Sequence, residues 1–280
     1  MTDIRFRAPA LPLPPVEYNV GSFSQFNNVL RIYFNQLDEA LRNLAVATPN
    51  DFYLEVAKGN VAGHSFIHKF GANFDIDNSS EPETVWSAGG LYPWSSLSSA
   101  QTLYVLSTDA GDTMDVEIQG LDANYAVQTE TVTLTGTTAV TTTNTFLRVF
   151  RMSADANNDG DITARVTSAS GTIVAQIDTD YAQTLMAVYT VPAGKTAYLT
   201  ALDASVQKNK DAQVRLFQRP TGKTFRIAHM AETFESSYRY DFTIPLKFPE
   251  KTDLEVRASE VESNNTRVTA NFDLLLVDND

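Results

Sequence analysis

From residue 50 onward almost every periodic segment repeats every two residues, and that alternation restricts the fold more than any other feature of the chain. Met114, Val116 and Ile118 alternate with Asp115, Glu117 and Gln119, GLDANY (120–125) offers a turn, and Val132 and Leu134 then alternate with threonines. Apolar side chains at every second position give a strand one dry face and one wet face, so this stretch predicts a β-hairpin. The same rhythm runs through Ile162, Ala164 and Val166, through Ile173, Ala175 and Ile177, and through Val268, Ala270, Phe272, Leu274 and Leu276. Turn residues punctuate these runs at 109–112, 135–136, 158–160, 170–171, 192–194 and 220–222. Many short strands at such spacing predict an all-β body of the β-sandwich or jelly-roll type.

The first 50 residues follow different rules. Residues 8–21 (APALPLPPVEYNVG) place four prolines within seven positions, which fixes φ and removes backbone donors, so an extended arm is expected. Such an arm is either a solvated tail or a strap laid along a partner through Leu11, Leu13, Val16 and Tyr18. Ser22 and Gln25 then form an S-x-x-Q capping box, which predicts a helix running to about Val46 with Pro49 as its stop. Within it Phe23, Phe26, Leu30, Tyr33, Leu37, Ala40 and Leu44 recur at spacings of three and four, with Phe34 and Leu41 widening the stripe. That is the rhythm of a coiled-coil seam. A lone amphipathic helix docked on its own β domain would show the same pattern. The strap on one side and a linker on the other favour self-association or docking on a partner, and aromatic seam positions suit a bundle wider than a dimer. A homo-oligomer, a trimer, is therefore expected.

The expected organisation is an arm and helical anchor over 1–50, a β-sandwich over 51–180, and a second β-sandwich, or a continuation of the first, over 181–280. The boundary near 180 follows the point where a Thr-rich acidic stretch gives way to a more basic one. Residues 51–160 carry 4 basic and 14 acidic groups, and the formal net charge of the whole chain is -13. An acidic surface repels phosphate, so a nucleic-acid partner is not expected. The absence of cysteine excludes disulfides, thiolate metal clusters and a cysteine nucleophile. Neither a signal peptide nor a membrane span is read at the start of the chain, so assembly in the cytoplasm of the producing cell is expected.

Motifs that carry chemistry are sparse. His64 and His68 stand four apart, a metal-binding spacing only on a helix, and their surroundings read as strand or loop. No nucleophile elbow, P-loop or H-E-x-x-H occurs. Paired carboxylates for glycoside hydrolysis are a property of the fold and not of spacing. With so many acids, a solvated acidic face is the expected reading. DANNDGDI (155–162) places Asp155, Asn157, Asp159, Gly160 and Asp161 at calcium-loop positions, yet Val166 stands where the bidentate glutamate belongs. A polar hairpin turn is the expected reading. Trp86, Tyr92 and Trp94, beside Gly89–Gly90 and Pro93, are candidate glycan contacts, against the more common use of aromatics in core or interface packing. No enzyme activity, metal or cofactor is expected.

Two sets of strings carry a resemblance. LPLPPVEYNVGSFSQFNNVLRIYFNQLDEALR (11–42), above all PLPP followed by LRIYFNQLD, resembles an N-terminal module at the head of otherwise different structural proteins of marine tailed phages, including those of cyanobacteria. ETVWS, DVEIQGLDANY, TFLRVFRM, GDITARV, QTLMAVYTVPAGKTAYLT and FPEKTDLEVRA resemble a family of uncharacterised virion proteins of the same viruses. The resemblance implies a virion component, with capsid, portal, adaptor or tail proteins as partners and no catalytic residues. It further implies an interchangeable strap and helix tethering a β body, as a fibre, a decoration or a tail-associated part. A receptor- or carbohydrate-binding fibre facing a host surface glycan is the alternative.

Overall fold

The computed structural model describes residue 17 and residues 20–45, 49–78 and 81–279. Leu11, Leu13 and Tyr18 of the expected strap lie outside the described residues, as do the side chains of Leu41 and Leu44. The chain divides into two compact units, 1–62 and 63–280.

The first unit is helical. α1 (Val20–Ala45) begins two residues earlier than the capping box indicates, so Ser22 stands inside its first turn and not at its cap. Pro49, expected as a stop, opens a second helix, α2 (Pro49–Ala57), so helix continues past the residue-50 limit expected for the anchor. A proline lacks only an N–H that a first turn leaves unused, so the residue that ends one helix can begin the next. α2 closes with Gly59 at φ +76. There the Asn60 amide donates to the Glu55 carbonyl at 2.9 Å and the Gly59 amide to the Val56 carbonyl at 2.9 Å. This is the Schellman arrangement that only a residue at ease in the left-handed region completes cheaply.

The second unit is all-β, as the alternation predicts. It opens with β1 (His64–Ile76) and the short β2 (Glu83–Thr84). A 3₁₀ turn at Trp94–Leu97 leads into β3 (Leu103–Ser107), β4 (Asp115–Leu121), β5 (Val127–Thr133), β6 (Val140–Thr141), β7 (Arg148–Ala154), β8 (Ile162–Val166) and β9 (Ile173–Ile177). The chain continues through β10 (Val188–Thr190), β11 (Lys195–Val206), β12 (Asp211–Arg219), β13 (Arg226–Phe234), β14 (Ser237–Phe248), β15 (Asp253–Ser259) and β16 (Thr266–Asp278). The predicted hairpin is β4–β5, paired from Asp115 with Thr133 to Leu121 with Val127. Its turn is held by Asp122, whose carboxylate accepts the amides of Asn124 and Ala126.

Two sandwiches result, one inserted into the other. Sheets β6-β3-β8-β9 and β5-β4-β7 enclose a core that includes Leu103, Val116, Ile118, Phe146, Met152, Ile162 and Ile177. Sheets β1-β16-β11-β14 and β10-β15-β12-β13, the latter with β2 beside β15, enclose the other, which includes Leu199, Leu216, Phe248, Val256, Phe272 and Leu274. β1 runs antiparallel to β16, His64 opposite Val277, so segments about 200 residues apart close one sandwich. The expected boundary near 180 therefore does not divide this region into two successive domains. Residues 64–85 join 187–278, and the segment between builds the inserted sandwich. At the crossing, the Ala187 amide donates to the Val85 carbonyl at 3.0 Å, against β1. A side chain at Gly71 would lie 2.3 Å from the Ala187 nitrogen and from the Val85 oxygen. Only glycine lets the three segments meet.

Candidate interaction surface

The described part of the helical seam is not buried in the single chain. Between Val20 and Leu37 no side chain is buried: Phe26, Leu30, Tyr33 and Leu37 are half-buried. Phe23 and Phe34 are 55% and 58% exposed, and Val20 and Ile32 extend the apolar surface beyond the seam. α2 adds Phe52, Tyr53 and Leu54, all exposed. The sequence reading missed these three because it ended the helix at Pro49. Apolar surface left in water costs about 25 cal/mol per Å² relative to burial. Helices draw most of their stability from packing such faces and little from propensity. Among the described residues no helix is long and apolar enough to cross a membrane.

The candidate glycan contacts are placed elsewhere. Trp86, Tyr92 and Trp94 are all buried, which matches the packing use of aromatics weighed against glycan contact. Their rings stand edge to face, Trp86 to Tyr92 at 5.1 Å and Tyr92 to Trp94 at 4.7 Å. Their polar ends are satisfied internally. Trp86 donates to the Gly89 carbonyl at 2.9 Å, Tyr92 to the Val149 carbonyl at 3.1 Å and Trp94 to Glu255 at 2.8 Å. The guanidinium groups of Arg148 and Arg219 each lie 5.3 Å from the Trp94 ring centre. A sugar has no free ring face to meet.

These arginines belong to a buried polar network between the two sandwiches. Asp253 on β15 accepts Arg148 of β7 at 2.8 and 3.1 Å, Arg219 at 2.6 Å and the Thr190 hydroxyl at 2.6 Å. Glu255 accepts Trp94, the Thr84 hydroxyl and, at 2.7 Å, Arg257. Among the described residues the buried carboxylates are Asp112, Asp253 and Glu255. The oxygens of the last two are taken up by donors. Their arrangement fastens one sandwich to the other.

The DANNDGDI segment is a turn between β7 and β8. Asp155 accepts the Asp115 amide at 3.1 Å, and Asp161 accepts the amide and hydroxyl of Thr179 at 3.0 and 3.1 Å. Buried Asn158 donates to the Gly160 carbonyl at 2.7 Å and the Asp178 carbonyl at 2.9 Å. From across the fold Asp112 accepts the Ser107 hydroxyl at 2.5 Å and the amides of Asp159 and Gly160 at 3.0 and 3.1 Å. Burial would raise the Asp112 carboxyl, but these three hydrogen bonds outweigh it and hold the group below its usual range. Among the described residues no group of three or more His, Asp or Glu is placed to hold a metal. His68 lies on β1, its Nδ1 2.5 Å from Asp273.

One further buried group escaped the sequence reading. Lys69 of β1, 3% exposed, donates to the Phe150 carbonyl and meets no carboxylate among the described residues. Burial first, and the Arg151 charge second, hold its ammonium well below the usual lysine range. It borders a cavity of about 340 Å³ shared with Phe66, Phe70, Phe150, Arg151 and Tyr189.

The described residues thus define an all-β protein of two nested sandwiches preceded by two helices. No family model matches the chain. No curated protein matches it either. Among solved structures, naturally occurring empty particles of cowpea mosaic virus share 10% identity over 62% of this chain and 80% of the other, at a TM-score of 0.21. The infectious bursal disease virus Gx strain shares 7% identity over 77% and 71%, at a TM-score of 0.20. The VP2 subviral particle of infectious bursal disease virus shares 7% over 78% and 73%, at 0.18. Overlaps this low carry no argument about what the chain does.

Proposed function

We propose that this chain is a structural component of a tailed-phage virion, a fibre, decoration or tail-associated part, tethered through its N-terminal segment with the β body projecting. The observation that carries the reading is that no side chain from Val20 to Leu37 is buried, although the stripe holds Phe23, Phe26, Leu30, Tyr33, Phe34 and Leu37. The resemblance of residues 11–42 to a phage attachment module supports the same assignment. In this reading α1 associates with its own copies, as a closed trimeric bundle, and docks on a capsid, portal, adaptor or tail protein. Binding energy is the whole mechanism, because several copies held together add weak contacts through effective concentration.

Deleting residues 1–48 tests the tether. The expected product is a folded β body that no longer joins particles when supplied during assembly. Incorporation at the level of the intact chain would overturn the assignment.

A further inference from the structure

Among the described residues β13 and β14 are the last strands of their sheets, joined by a tight turn, so both lie along one edge of the same sandwich. That edge carries exposed apolar side chains. Ile227, Met230, Phe234 and Tyr240 are exposed, and Ile244 is 83% exposed. Proteins ordinarily blunt long edge strands, because free N–H and C=O groups invite another strand.

The free groups can be assigned. The Val206 amide donates to the Ser236 carbonyl at 3.4 Å, and Ala204 and Leu202 stand opposite Tyr238 and Tyr240. By the alternation of an antiparallel ladder, 236, 238 and 240 bond to β11, while Ser237, Arg239 and Asp241 turn their amides and carbonyls outward. The register slips at 242–245, where Pro245 adds no donor, so the available ladder is short.

The charge order around Tyr240 says what fits there. Arg239 and Asp241 flank it, side chains 58% and 69% exposed, and within the chain Arg239 pairs with Asp241 at 2.7 Å and with Asp203 at 3.1 Å, exposed pairs that can be exchanged for contacts with a second copy. In an antiparallel pair centred on Tyr240, Arg239 faces Asp241 of the second copy, and the two residues exchange main-chain hydrogen bonds. Each copy presents the same patch, the condition for an isologous contact. The rings are positioned in advance: Tyr240 and Phe242 stand 4.7 Å apart, and His229 lies 5.3 Å from each. Its Nε2 is 2.8 Å from the Tyr238 hydroxyl.

We infer that the β14 edge is a second self-association surface, pairing with β14 of another copy about a two-fold axis at Tyr240, with the apolar side chains of β13 and Ile244 flanking the contact. It is separate from the α1 seam. In a threefold bundle it would join one bundle to the next.

The chain has no cysteine, so single thiols are clean probes in the full-length protein. Tyr240→Cys should give a disulfide-linked dimer under mild oxidation, whereas Val127→Cys, exposed on the inserted sandwich, should give far less. Arg239→Asp places like charges face to face, and self-association by sedimentation should weaken about tenfold or more. Arg239→Asp combined with Asp241→Arg should restore it. Equal cross-linking at 240 and 127, or self-association unchanged by Arg239→Asp, would overturn the proposal. Phe23→Ser with Phe34→Ser, added to Tyr240→Cys, separates the two surfaces: loss of particle incorporation with the disulfide-linked dimer retained is expected. Loss of that dimer in the combined variant would assign the pairing to α1.

Discussion

Lys69 shows how far one residue's chemistry can depart from its sequence context. Nothing in HSFIHKFG sets it apart, yet its ammonium is enclosed with a single carbonyl and, among the described residues, no counter-charge. An uncompensated buried charge costs more than one carbonyl hydrogen bond returns. Lys69→Met should therefore stabilise the protein at neutral pH, by on the order of 1 kcal/mol in denaturant titrations. The sign of the pH dependence follows from the lowered folded value. Between it and the ordinary lysine value near 10.5, the unfolded chain binds the extra proton, so stability of the native sequence rises with pH through that interval. Lys69→Met should remove that rise, and an unchanged slope between pH 8 and 10 would sink the account. Trp94 makes the converse point. Its type and its glycine-rich surroundings were compatible with a sugar platform or a core, and only the arrival of Arg148 and Arg219 at its faces distinguishes them.

At the scale of elements, strands with one wet face were legible. β16 follows the alternation residue for residue, and β4 follows it up to Gly120, because a half-buried strand exposes its period directly in composition. β8 departs from it, since Thr163 is buried between Ile162 and Ala164. α1 was legible for the same reason with a different period. α2 was not, because proline signals a stop and a start equally well. β13 and β14 were also illegible as edges, since alternation records which face is dry and says nothing about whether a neighbouring strand exists. Gly71 belongs to this scale, as its role is to let β1 cross the Val85 and Ala187 backbones. Gly71→Ala should cost about 1–3 kcal/mol through overpacking. Thermal unfolding checks it, and a substitution without effect would mean that the crossing can relax.

Across the whole molecule, the insertion makes one sandwich depend on the other. Residues 64–85 and 187–278 meet only if the intervening segment brings Thr84 and Ala187 back together, and the Arg148–Asp253 pair fastens the inserted body to its host. Arg148→Met leaves Asp253 with less compensation in a buried site and should cost about 3–5 kcal/mol. Chemical denaturation measures it, and a loss below 1 kcal/mol would show that Arg219 and Thr190 suffice. The sequence by itself determined the strand periods, the turns, the helical stripe and the acidic surface, because each depends on residues within a few positions of one another. Tertiary structure alone decided that β1 closes on β16, that the tryptophans are interior, that Lys69 is buried against the Phe150 carbonyl and that β14 is the last described strand of its sheet. Those outcomes turn on which distant segments bury most surface together, a sum taken over the whole chain and written in no single stretch of it.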